Sequence, residues 1–262
     1  MTRAARPVTG RGPRAAAGQE ALSEPLFWEG DHVRANLPGA RVLFTTRRGG
    51  VSRGPYESLN LGRWTEDDPA AVAENRERVA GMAGAQLAQG RQVHEAGVNR
   101  VTEPPAGEPE PADGQATALD DVAPIVLVAD CLPVAVAGDG AVAMLHCGRR
   151  GLAGGIVAEG VAAVRELGAD GPLAAAIGPG AGACCYEVGD EVRAEFAQFG
   201  DEVRPGRNLD LPLIARRQLE TAGVQEVHDT KLCTICGDPR LFFSHRRDGG
   251  VTGRQAGMVW RV

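Results

Sequence analysis

No apolar run in this 262-residue chain approaches the roughly 20 residues that a membrane-crossing helix needs. The best candidate, Ile125 to Val136, is broken by Asp130 and Pro133. A basic excess is also missing: 28 lysines and arginines stand against 34 acids, for a net charge of −6, so neither nucleic acid nor a membrane is an expected partner. The arginine-bearing N-terminal stretch lacks the apolar core of a signal peptide. Six cysteines (Cys131, Cys147, Cys184, Cys185, Cys233 and Cys236) sit late in the chain and do not form the disulfide framework of a small secreted domain. These absences point to the cytoplasm and reduced thiols. No internal repeat is visible.

What is present reads as one domain. Residues 1–24, rich in Arg, Ala, Gly and Pro without periodicity, are expected to be a disordered extension. Residues 25–262 are expected to form the catalytic domain. Arg41–Thr46 reads as a strand, and Asp67-Asp68-Pro69 opens a helix with proline suited to its first turn. Ile125–Val136 reads as a buried strand with an acid and a thiol at its centre. A second strand, ending on His146, follows the turn Gly138-Asp139-Gly140. Helices are expected over Leu152–Leu167, Asp190–Phe199 and Asp210–Ala222, and strands over Leu173–Ile177, Leu241–Ser244 and Met258–Val262. Strands alternate with helices but hairpins occur too, so the expected fold class is α/β (α+β) with a mixed sheet.

His94, Cys131 and His146 each end an apolar segment, and all three are zinc-ligand types. If they converge, they form a Cys-His-His site with a vacant fourth position, as catalytic zinc requires, binding about one zinc per chain. Asp130 would then accept a hydrogen bond from a ligand or act as general base. The metal-free alternative is Cys131 as nucleophile with His146 or His94 as its base.

Three arginine–glycine segments are candidates for holding an oxyanion. Arg149 and Arg150 lie in the glycine turn Gly148–Gly151 before a helix, where backbone N–H groups attract anions. Arg47 and Arg48 lie in a second segment, and Ser244–Gly249 form a third; each reads equally as an exposed turn. Cys233-Thr234-Ile235-Cys236 is a CxxC with no second CxxC, so no zinc ribbon is expected and replacing Cys236 should leave bound metal unchanged. Cys184 and Cys185 read as packing residues, and His32 and His228 as loop or surface residues.

The ordered segments TTRRGGVSRGPYESLNLG, DDPAAVAENRERV, RQVH, VADCLPVAV, HCGRRG, IGPGAGACCYEVGDEV and FFSHRRDGGVTGRQAG resemble the YfiH-like family, also called the multicopper polyphenol oxidase or laccase-domain family, over about residues 41 to 260. The resemblance implies a single domain of stacked mixed sheets flanked by helices. It implies zinc held by the residues here numbered His94, Cys131 and His146. The activities it implies are purine nucleoside phosphorolysis, including that of methylthioadenosine, and adenosine deamination. Copper-dependent phenol oxidation and the correction of peptidoglycan precursors have also been attached to the family. Two departures bear on substrate: Glu95 stands where glycine is usual, and Cys147 and Arg149 replace alanine and tryptophan.

Laccase chemistry needs a blue copper and a three-copper cluster with many imidazoles, and five histidines cannot supply them. Copper is the alternative ion for a single site. One zinc site can be built, and the expected reaction is phosphorolysis of adenosine, inosine or methylthioadenosine, with Arg47 and Arg150 on the phosphate. Adenosine deamination is a further expected activity. The alternatives are a zinc amidase or hydrolase acting on peptidoglycan precursors, and a non-catalytic metal-binding partner of the division machinery.

Overall fold

The computed structural model describes residues 19–262. Of the extension expected over 1–24, residues 1–18 lie outside the described residues. Residues 19–24 are tied to the fold: the Trp28 indole N–H donates to the Glu20 carbonyl at 2.8 Å, and Leu22 packs on the core.

Two six-stranded mixed sheets stack face to face. The first runs, in spatial order, β1 (Leu26–Glu29), β2 (His32–Leu37), β3 (Ala40–Phe44), β12 (Gln255–Arg261), β7 (Val122–Val128) and β4 (Gln86–Ala88). The second runs β11 (Glu226–Asp229), β10 (Asp170–Ile177), β8 (Leu132–Asp139), β9 (Ala141–Cys147), β6 (Gly114–Thr117) and β5 (Val98–Val101). The pairs β4/β7, β10/β11 and β5/β6 are parallel; the others are antiparallel.

The two-residue period of a strand decides what each face buries. On β8, Ala135 and Ala137 meet Val42 and Val126 across the sheet–sheet layer. Val134 and Val136 point the other way, into a cluster with Val157, Val164 and Ile214. Those residues belong to α3 (Ile156–Glu166) and α5 (Leu211–Thr221). Small residues thus let the sheets approach while the larger ones fill the helix layer. Helix α1 (Pro69–Ala83) covers the far side of the first sheet through Val79; its first turn is capped by the Asp68 carboxylate, and it ends on Gly84 at φ 64°.

Four expected elements differ. The Ile125–Val136 stretch is two strands in different sheets, β7 and β8, so Asp130 and Cys131 lie on the crossover between sheets and not at a strand centre. The 152–167 helix starts earlier, as α2 (Arg149–Ala153), and breaks at Gly154-Gly155, where φ of 87° at Gly155 resets the chain before α3. The 190–199 helix is α4 (Asp190–Ala194) followed by a 3-10 turn, Ala197–Phe199. Leu241–Phe243 are buried without joining a ladder; the Gln255 amide accepts from the Phe243 N–H at 2.7 Å and donates to its carbonyl at 3.2 Å, replacing a neighbouring strand.

Candidate active site

The crossover from β7 to β8 is where the chemistry-bearing side chains meet. Asp130 adopts φ 89° and His94 φ 62°, two of the three non-glycine residues with positive φ among the described residues. Such backbone costs energy and is retained where surrounding contacts impose it. For Asp130 those contacts are visible. One carboxylate oxygen accepts from the Thr234 hydroxyl at 2.6 Å, the other accepts from the Arg246 N–H at 2.7 Å, and its carbonyl accepts from the Ala181 N–H at 2.7 Å. Asp130 therefore pins three loops around Cys131.

The His94 loop is fixed from both sides. Gln92 acts as a surrogate strand residue at the end of β7, exchanging two 2.8 Å hydrogen bonds with the Leu127 backbone. The buried Asp113 carboxylate then accepts the successive N–H groups of Val93, His94 and Glu95 at 2.9–3.0 Å. The same carboxylate lies 2.7 Å from His146 Nδ1. Asp113 thus orients one imidazole and shapes the loop carrying the other.

The ligand atoms of His94, Cys131 and His146 lie within 4.8 Å of one another, with the two rings edge to face, centroids 4.9 Å apart. Zinc–sulfur and zinc–nitrogen bonds of about 2.3 and 2.0–2.1 Å would set tetrahedral ligand separations of about 3.3–3.6 Å, so small side-chain adjustments suffice. His146 is 3% exposed, Cys131 is half-buried and His94 is exposed, so the cluster is open on the His94 side. The donor set fits zinc: a thiolate, two imidazoles, a carboxylate behind one imidazole and an open face.

The charges favour a cation. Burial alone would raise the Cys131 thiol, but the positive charge of His146 and hydrogen bonds from His146 and His94 override it, bringing the thiol down to about 6. Burial alone would lower His146, but the Cys131 thiolate and the Asp113 hydrogen bond take it up to about 9. Asp113 is held low despite burial, by His146 and by the N–H groups of Glu95 and Val93. The neighbouring Cys147 thiol is pushed far up by burial and by the charges of Cys131 and Asp113, so it stays neutral.

The cluster forms the floor of a cleft of about 450 Å³, in the range of small-molecule sites. Arg246, Arg254, His245, Tyr186 and Trp64 line it. The Arg246 guanidinium stacks 5.1 Å from the Tyr186 ring centre. A larger cleft of about 1170 Å³ lies between α1 and the proline-rich segment 104–110, but no histidine or cysteine lines it.

Of the three arginine–glycine segments, only the third reaches the cleft. Arg47 donates to the carbonyls of Glu57 (2.6 Å) and Pro239 (2.9 Å) and packs 4.5 Å from the Phe243 ring centre, clamping two loops. Arg150 is exposed on the short α2, and neither arginine lines the cleft. His32 is buried at the start of β2 and not on the surface, its Nδ1 accepting from the Thr46 N–H at 3.2 Å; His228 lies half-buried on β11. Asp113, Tyr186 and Arg254 escape the sequence reading. Tyr186 and Arg254 did carry a signal, standing in the CCYEV and RQAG parts of the segments that carry the resemblance.

A family model described as multi-copper polyphenol oxidoreductase laccase matches residues 41–262. A purine nucleoside phosphorylase of Streptomyces coelicolor is 41% identical over 239 residues, covering 87% of this chain and 98% of the relative. A purine nucleoside phosphorylase of Pseudomonas aeruginosa is 39% identical over 232 residues, covering 84% and 93%. Among solved structures, YlmD from Geobacillus stearothermophilus superposes with a TM-score of 0.82 at 33% identity, covering 91% of this chain and 99% of that one. The YfiH protein of Bacillus licheniformis gives 0.84 at 29% identity, covering 92% and 100%.

Proposed function

The chain belongs to the multi-copper polyphenol oxidoreductase laccase family, and on that premise we propose that it is a zinc-dependent purine nucleoside phosphorylase acting on adenosine, inosine or methylthioadenosine. The observation that carries the reading is the juxtaposition, in one cleft, of the His94–Cys131–His146 cluster with Arg246 and Arg254, each of which also donates through Nη1 to loop carbonyls, of Glu187 for the first and of Thr252 and Gly253 for the second. Relatives named purine nucleoside phosphorylase, about 40% identical over most of their length, support it.

Zinc held by His94, Cys131 and His146 would supply Lewis acidity at the cleft floor. Asp113 keeps the His146 ring oriented with Nδ1 toward its carboxylate, leaving Nε2 for the metal. Arg246 and Arg254 bind phosphate, as paired guanidiniums do. Trp64, and the face of Tyr186 that Arg246 does not cover, would stack on the purine. A phosphate oxygen attacks C1′ while the C1′–N9 bond breaks, its electron pair leaving with the base. His245, on the same rim, supplies the proton that the departing base takes up. The products are free base and ribose 1-phosphate, or 5-methylthioribose 1-phosphate from methylthioadenosine.

Deamination is the less supported partner activity. It needs a carboxylate to shuttle protons; Asp130 is the carboxylate lining the cleft, and both its oxygens already accept hydrogen bonds from Thr234 and Arg246. Asp130 is better read as a positioning residue. Among the described residues no helix is long and apolar enough to cross a membrane. Six unpaired thiols suit a reducing compartment, the cytoplasm by this reading.

The test is zinc-loaded protein incubated with each nucleoside, with and without phosphate, followed by measurement of free base, ribose 1-phosphate and ammonia. Phosphate-dependent release of base with an equimolar amount of the matching sugar 1-phosphate is expected. Turnover indifferent to phosphate would replace the phosphorylase with a zinc hydrolase or amidase.

A further inference from the structure

The CxxC is not isolated in space. Strands β10 and β11 pair in parallel, and the ladder is extended past their ends by the bridge between Gly180 and Cys233. Gly180 donates to the Leu232 carbonyl at 3.1 Å, and Thr234 donates back to the Gly180 carbonyl at 2.9 Å. The loop after β10 therefore runs beside the loop after β11, and Cys184 and Cys185 meet Cys233 and Cys236. All four sulfurs lie within 4.8 Å of one another, with Cys184–Cys236 at 3.5 Å and Cys184–Cys185 at 3.3 Å.

From this geometry we propose a second metal site: a closed, structural zinc centre with four thiolate ligands, Cys184, Cys185, Cys233 and Cys236. A tetrahedron of zinc–sulfur bonds about 2.3 Å long has edges of about 3.8 Å, close to the observed sulfur separations. The bonded sulfurs of a disulfide lie about 2.05 Å apart, and no pair here approaches that. Four protein sulfurs leave no open position, the mark of a structural site.

The backbone around the CxxC supports the same reading independently. Cys233-Thr234-Ile235-Cys236-Gly237 closes into a tight turn, with the Gly237 N–H donating to the Cys233 carbonyl at 2.9 Å. A Cβ at Gly237 would collide with that carbonyl, so the turn requires glycine there. The Gly182 N–H points at the Cys233 sulfur at 3.4 Å. N–H groups aimed at sulfur stabilise a thiolate ligand.

The site also bears on the cleft. Thr234, between the two CxxC cysteines, is fully buried and donates to Asp130, while Tyr186, next to Cys185, lines the cleft wall. The ion would brace the loops that hold Asp130 and Tyr186 in place.

The experiment is elemental analysis of protein purified under reducing conditions without added metal. About two zinc ions per chain are expected, one of them lost in Cys236→Ser and the other in Cys131→Ala. Because Cys236→Ser could unfold, the wild-type thiols are also titrated before and after chelation: the four cysteines should be protected until zinc is removed. Cobalt substitution of Cys131→Ala should still give the intense thiolate charge-transfer bands of a tetrahedral all-sulfur site. Zinc content unchanged in a folded Cys236→Ser, a single zinc per chain that Cys131→Ala abolishes, iron in place of the second zinc, or a disulfide among these cysteines in freshly isolated protein would each overturn the proposal.

Discussion

At the triad the support is a buried charge: the Asp113 carboxylate, which lies beneath His146 and gathers three N–H groups of the His94 loop. At the four-cysteine cluster the support is an uncharged N–H group, that of Gly182, pointing at a sulfur, on loops carried by paired strands. One cluster is open on the His94 side and faces a cleft; the other, in the site proposed above, would be closed by its own four ligands. A site that must let substrate approach has fewer protein ligands, so its remaining ligands need stronger fixing from behind. A site that only ties loops together can rely on its ligand count. The chain places its buried ionic network where the geometry must be held with a position left open.

Cys131→Ala should break this comparison most sharply. It removes a ligand of the open site and none of the closed one. Nucleoside phosphorolysis should fall by about 10³-fold or more, corresponding to the several kcal/mol that a catalytic Lewis acid contributes. Steady-state rates with saturating phosphate and nucleoside measure it. Retention of more than a tenth of wild-type activity would mean that the cluster is not the reaction centre.

Asp113→Asn comes next, because it changes the support and leaves every ligand in place. Metal affinity at the triad should drop by about 10–100-fold, the usual cost of losing the partner behind a ligating imidazole. Competition with a chromogenic chelator would measure the drop, with zinc at the closed site unaffected. Equal weakening at both sites would show that Asp113 acts through general stability and not through His146.

Arg254→Ala tests what the open side receives. Losing a charged hydrogen bond to phosphate costs about 1.5–3 kcal/mol, so the phosphate KM should rise by about 10–100-fold. Zinc content should not change. A KM that moves for the nucleoside and not for phosphate would reassign Arg254 to the sugar or base.

The three residues of the open cluster were legible in the sequence because His94, Cys131 and His146 each close an apolar segment, and an unexplained polar residue there is conspicuous. Their support was not. Asp113 ends a proline-rich polar loop with no periodicity, and only the fold shows that it collects N–H groups from one loop and an imidazole from β9. Asp130 attracted a catalytic role through its adjacency to Cys131, but its carboxylate is turned to Thr234 and Arg246. The closed cluster was missed because its two halves lie on separate loops that come together only through the parallel pairing of β10 with β11. The strand pattern was legible at Arg41–Thr46, Leu173–Ile177 and Met258–Val262, but it merged β7 with β8 and missed β1, β2, β4, β5, β6 and β11. It failed at Leu241–Phe243, where burial is as deep as in a strand but a glutamine side chain takes the place of the neighbour.

The smallest effect is expected from Arg150→Ala, and it marks how far the open side extends. The sequence places Arg150 in a glycine turn before a helix, which suggests phosphate. In the fold that helix is the five-residue α2, and the Arg150 side chain is exposed outside the cleft lining. Its neighbour Arg149 pairs with Glu195 at 2.9 Å and also stays out of the cleft. A solvated guanidinium away from the bound anion contributes at most a screened long-range attraction, well under about 1 kcal/mol at physiological salt. The phosphate KM of Arg150→Ala should therefore stay within about twofold of wild type, with zinc content and thermal midpoint unchanged. Measured beside Arg254→Ala, it separates the two arginine–glycine turns directly. A rise for Arg150→Ala as large as that for Arg254→Ala would place the phosphate at the start of α2 and move the open side of the triad away from the Arg246–Arg254 wall.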